Sequence, residues 1–111
     1  MKRMRAAILL EARFIGHRED DLATIEQSVE RGDFETIARL GHNLRGNGPS
    51  YGFPELVAVG EGLEGAARSR DVEQVRKAAT ELASWVAGAR DRELDHESGT
   101  QRIEGDERRR T

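Results

Sequence analysis

Apolar residues return at helical spacing wherever the chain shows a pattern. A stripe runs through Ile8, Ala12, Ile15, Leu22, Ile25 and Val29 in steps of three, four or twice that, which lines one face of an α-helix. The polar run Gly16-His17-Arg18-Glu19-Asp20-Asp21 interrupts it, as a loop between two helices or the solvated part of one. No proline breaks the run, which favours one long helix. Arg31-Gly32-Asp33 then predicts a stop and a restart. Glycine suits the left-handed position after a helix, and aspartate accepts from the first free N–H groups of the next.

A second helix is expected from Phe34 to about Tyr51, ended or kinked near Pro49. Phe53-Pro54 opens a third, with Pro54 at the tolerated first position and an apolar set of Leu56, Val57, Val59, Leu63, Ala66 and Ala67. After a turn at Ser69-Arg70, Asp71 and Gln74 have capping-box spacing. The fourth helix carries Val72, Val75, Ala79, Leu82, Trp85 and Val86. Trp85, Tyr51 and the three phenylalanines read as core residues. Alternating β-branched runs and hairpin signals are missing. The pattern therefore predicts an all-α fold, an antiparallel up-and-down four-helix bundle.

Composition changes one part of that picture. At 111 residues the chain suits a single domain. Twelve of the 21 residues from Asp91 to Thr111 are charged, with only Leu94 and Ile103 strongly apolar. The expectation is a bundle over 1–90 and a disordered charged C-terminal tail over 91–111. The opening methionine and the charged tail weigh towards a small free-standing protein.

Charge and cysteine content exclude more than they identify. The formal net charge of -3 comes with no basic stripe, which argues against nucleic-acid binding. Without cysteine there is no thiolate nucleophile and no cysteine metal site. The apolar run Ala6 to Leu10 is too short for a membrane span and lacks a signal-cleavage pattern, so a cytoplasmic protein is expected. His17, with Glu19, Asp20 and Asp21, suggests a solvated face more than a metal site, and His96 has no partner at ligand spacing.

Chemistry concentrates on the second helix. At about 100° per residue, Phe34, Ile37, Gly41, Leu44 and Gly48 fall in one sector, and His42 points roughly 140° away from its middle. Around His42 on the outer face lie Glu35, Ala38, Arg39, Arg45, Gly46 and Pro49. Ala38 and Gly46, one turn to either side, have nothing bulky to block a second protein. A neutral imidazole nitrogen is a competent nucleophile towards phosphorus. Arg39 and Arg45 flank it, placed to hold phosphoryl oxygens or an acidic partner. Glycine costs a helix about 1 kcal/mol relative to alanine, so Gly41, Gly46 and Gly48 suggest that close approach is needed. A lone surface histidine usually carries no function; the small-residue window and paired arginines set this one apart.

At these residues the sequence resembles a known family. His42-Asn43-Leu44-Arg45-Gly46, followed by Ser50-Tyr51-Gly52-Phe53 and Leu56, is similar to the signature of histidine-phosphotransfer (HPt) domains. Gly32-Asp33-Phe34, Leu40-Gly41 and the Arg70-Asp71 turn extend the likeness over Ile8 to Val86. The resemblance implies a four-helix bundle that shuttles phosphoryl groups in two-component relays. By it His42 is the phospho-acceptor, Arg45 the basic residue in place of the commoner lysine, and Gly46 the small residue giving access. Pro49 departs from it, falling where the family helix usually continues. The implied partners are response-regulator receiver domains and a hybrid histidine kinase. They would dock over Glu35, Ala38, Arg39 and Pro49, and the Mg²⁺ would belong to the receiver, leaving this chain, a monomer, without a cofactor of its own. The alternative is a helical adaptor that binds a receiver or kinase without being phosphorylated.

Overall fold

The computed structural model describes the backbone of residues 2–97 and the side chains of residues 9–93. Four helices follow in order: α1 (Lys2–Arg31), α2 (Phe34–Ser50), α3 (Leu56–Arg68) and α4 (Val72–Glu97). No strand occurs among the described residues. Each helix packs on its neighbours in sequence, and α4 closes the ring against α1. The result is the antiparallel up-and-down bundle expected from the periodicity.

The polar run in α1 stays helical because its charges find partners. The Arg18 guanidinium lies 4.4 Å from the Phe14 ring centroid and 2.8 Å from Asp21. Glu19 accepts from Arg90 of α4 at 2.6 Å. Beneath these charges Phe14 and Ile15 are buried.

Three helix ends share one geometry. Asp33 N–H donates to Ser28 O and Gly32 N–H to Val29 O; Phe53 to Gly48 and Gly52 to Pro49; Asp71 to Ala66 and Arg70 to Ala67. Each is the paired hydrogen bonding of a Schellman stop, with the left-handed residue at Gly32 (φ 72°), Gly52 (φ 90°) and Arg70 (φ 54°). Arg70 adopts this conformation without glycine's freedom, and its guanidinium lies 5.4 Å from the Phe34 ring. Asp33 then caps α2 and Asp71 caps α4, each carboxylate accepting from the N–H three residues on. The Asp71 N–H is already taken by Ala66, so only half of a capping box is used there.

Two boundaries differ from expectation. Helix α3 starts at Leu56, two residues after Pro54, because Phe53 and Pro54 carbonyls accept from Leu56 and Val57 in a turn that precedes it. Helix α4 runs to Glu97, past the boundary expected at residue 90, and the Arg90–Glu93 ion pair at 2.8 Å braces that extension. The rest of the expected tail lies outside the described residues.

The core joins Phe14 and Ile25 of α1, Ile37 and Leu44 of α2, Leu56 and Leu63 of α3, and Val75 and Leu82 of α4. Aromatic rings close one end: Phe14 lies 5.3 Å from Phe53 and meets Trp85 edge-on at 5.9 Å. The Trp85 indole N–H donates to Glu55. Tyr51 is not core. It is half-exposed at 50%, with its ring tilted by 33° against Phe14 at 4.9 Å.

Candidate functional site

The site begins with an unusually close pair of helices. A Cβ added at Gly41 would stand 2.6 Å from both Gly60 O and Glu64 N, and one at Gly60 would stand 2.6 Å from Gly41 O. Such distances lie well inside van der Waals contact, so α2 and α3 touch backbone to backbone. Gly48 repeats the arrangement one step along, where a Cβ would meet Leu56 at 2.8 Å. Gly41 and Gly48 thus serve helix packing, as their inward positions predict.

This approach carries Glu64 of α3 under the outer face of α2. Glu64 is buried, at 7% exposure, yet it is ionised and saturated with partners. Arg45 donates to Oε1 at 2.7 Å and Arg68 to Oε2 at 2.7 Å. The Arg68 and Arg45 hydrogen bonds hold its carboxyl down at about 2, against an ordinary 4.5. His42 stands over the same carboxylate, with Nδ1 3.5 Å from Oε2 and the side chain 68% exposed. A carboxylate on that side favours the proton on Nδ1 and leaves the lone pair on Nε2, at the opposite edge of the ring.

The sequence matches the family model of the Hpt domain over residues 10–104. The chain belongs to the Hpt domain family. No curated protein and no solved structure matches it. An Hpt domain implies a histidine-phosphotransfer role in two-component signalling, alongside receiver domains. In this Hpt domain no helix among the described residues is long and apolar enough to cross a membrane.

The residues expected on the outer face of the Hpt domain divide into groups. Glu35, Arg39, His42, Gly46 and Pro49 are exposed. At Gly46 an added Cβ would meet nothing within 4 Å, so the space beside His42 is open to a partner. Ala38 is half-buried against the core and leaves the open window to Gly46. Arg45 turns sideways along α3, engaged with Glu64 and 4.0 Å from Glu61. Pro49 sits inside the last turn of α2, which ends one residue later at Ser50. Ser50 Oγ donates to Gly46 O at 3.0 Å in that turn.

Glu64 and Arg68 join the site from α3, beyond the residues that the α2 pattern points to, although the sequence carries a signal for them. Glu64 interrupts the α3 stripe between Leu63 and Ala67, and a charge inside an apolar face needs a partner. Arg68, four residues on, is one such partner.

Proposed function

We propose that His42 relays a phosphoryl group between receiver-domain aspartates. The observation that carries this reading is the exposed imidazole whose Nδ1 lies 3.5 Å from the buried carboxylate of Glu64, itself held by Arg45 and Arg68. In the forward step the Nε2 lone pair attacks the phosphorus of an aspartyl phosphate on a receiver. The new N–P bond forms as the P–O bond to the aspartate breaks, and the receiver's carboxylate leaves with the bonding electrons. The Nδ1 proton stays on the ring, where Glu64 stabilises the positive charge the ring acquires. Transfer to a second receiver reverses the same steps.

Chemistry of this kind needs placement and charge compensation more than a catalytic apparatus. Glu64 is a positioning residue: it sets the ring's tautomer and holds Arg45 and Arg68 beside it. Those guanidiniums offset the phosphoryl charge. The receiver sits over α2 and α3, across Glu35, Ala38, Arg39, Gly46 and Pro49. In this reading the Mg²⁺ and the aspartates are the receiver's, and this chain, acting as a monomer in the cytoplasm, draws its phosphoryl groups from a hybrid histidine kinase.

The test incubates wild type and His42→Gln with a phosphorylated receiver domain, and records intact mass before and after brief acid treatment. One acid-labile phosphoryl group on wild type and none on the variant is the expected result. No label on a folded wild type from several receivers would leave the non-phosphorylated adaptor instead.

A further inference from the structure

Three helix stops share the Schellman geometry, yet only two of them use glycine at the left-handed position. At the third, Arg70 holds φ 54°, a backbone that crowds the Cβ of every residue except glycine. The strain has a partial local return. The Arg70 guanidinium lies 5.4 Å from the ring centroid of Phe34, the first residue of α2, which is within cation–π range. An exposed contact of that kind is of the same order as the strain, so glycine would serve the fold equally well. What the turn gains from arginine is a cation held in place.

The neighbouring arginines show why that cation is available. Arg45 and Arg68, which lie along the same seam between α2 and α3, both donate to Glu64 at 2.7 Å. Their charge is thus met within the chain. Arg70 is exposed and forms no ion pair among the described residues.

Position links Arg70 to His42. Phe34 precedes His42 by eight residues, about 12 Å along α2 and roughly 80° around it. An interface of standard size covers about 800 Å² on each partner, a patch roughly 30 Å across. A receiver centred on His42 therefore extends over Phe34 to Arg70. A guanidinium already laid on a ring has lost part of its freedom, so pairing it with a carboxylate takes less further entropy.

We infer that Arg70 is a specificity-determining residue of the His42 face, where it pairs with a carboxylate at the rim of the docked receiver. The inference rests on the phosphotransfer reading and adds the contact by which one receiver is preferred to another. A receiver with a carboxylate at that point gains a charge-assisted contact; one with a basic residue there meets repulsion.

The test follows phosphoryl exchange between the full chain and the receiver that labels wild type at the lowest concentration. Wild type, Arg70→Gly and Arg70→Lys are compared, with a melting curve for each. In Arg70→Gly the half-saturating receiver concentration should rise about tenfold, as for the loss of one charged hydrogen bond, with the maximal rate unchanged. Added salt should erase the difference. Arg70→Lys keeps the charge and should stay near wild type. Arg70→Gly should melt no lower than wild type, because the backbone strain leaves with the side chain.

An unmoved half-saturating concentration in Arg70→Gly would overturn the inference, as would a rise that salt leaves intact or that Arg70→Lys shares. So would a lower melting temperature for Arg70→Gly, which would make the contact with Phe34 the reason for arginine. Wild type that takes no label from any receiver would instead remove the phosphotransfer reading itself.

Discussion

Where α2 meets α3, backbone lies against backbone at Gly41 and Gly60; where α1 meets α4, side chains do the joining. Ile15, Val86 and Ala89 pack there, and Arg90 spans the surface to Glu19. The glycines of that second pair are under no pressure. A Cβ at Gly16 would meet only the end of the Arg90 side chain at 3.9 Å, and one at Gly88 only the end of Arg92 at 3.7 Å. The contrast teaches that glycine in a helix has two meanings. Between α2 and α3 it sets a separation that no other residue permits, and that separation brings Glu64 to His42. Between α1 and α4 the same residue is merely tolerated, and side chains adjust around it.

The sharpest way to break the comparison is alanine at each kind of glycine. Gly41→Ala or Gly60→Ala should cost about 3 kcal/mol, the upper range for overpacking, because backbone rather than a flexible side chain is in the way. Gly16→Ala should instead gain about 1 kcal/mol from helix propensity. Urea denaturation measures both, and equal signs would remove the distinction.

A second contrast is electrostatic and reads out as pH dependence. The folded Glu64 carboxyl is lowered to about 2, so its stabilising share is fully present above the ordinary value of 4.5. It is lost as the pH falls from there towards 2. Melting temperatures of wild type and Glu64→Gln should therefore differ at neutral pH and converge in acid. Glu19→Gln, which cuts the exposed α1–α4 ion pair, should give a smaller difference that added salt removes.

Smaller still is a substitution that separates folding from exchange. Gly46→Ala fills open space, so it should raise stability by about 1 kcal/mol. It should also slow phosphoryl exchange with a receiver by about tenfold, since a near-attack geometry tolerates little displacement. Gly16→Ala would show the first effect without the second. The least of the set concerns Ser28, fully buried on α1 with no hydrogen-bond partner for its hydroxyl. Ser28→Ala should be neutral or stabilising by up to about 1 kcal/mol, and a loss would mean the hydroxyl is satisfied in solution.

Much of this architecture was legible in the residue pattern. Gly32 and Asp33 announced the first turn, and the inward sector of α2 matched the buried set Ile37, Gly41, Leu44 and Gly48. What the pattern hid were pairings between helices. Periodicity shows that Gly41 faces inward, but it does not show that Gly60 is the residue facing it. For the same reason Arg45 read as an outward cation, when its guanidinium folds along α3 to a carboxylate nineteen positions away. Tyr51 departs from the burial that a large ring predicts, because it follows the last turn of α2, where half of its surface stays in water. The extension of α4 was masked by a charge-rich composition, although Arg90 and Glu93 are spaced to support a helix.

The ring of neighbours also sets an order of events. Helices α2 and α3 are joined by a short turn, whereas α1 and α4 lie at opposite ends of the chain and close the longest loop. Short-range contacts form with little loss of chain entropy, so the hairpin holding His42 and Glu64 can assemble before the chain ends meet. Fraying should follow the reverse sequence: amide hydrogens at the start of α1 would exchange with solvent first, while those around Gly41 and Gly60 remain protected. The histidine's surroundings would then persist through openings that transiently detach the first helix.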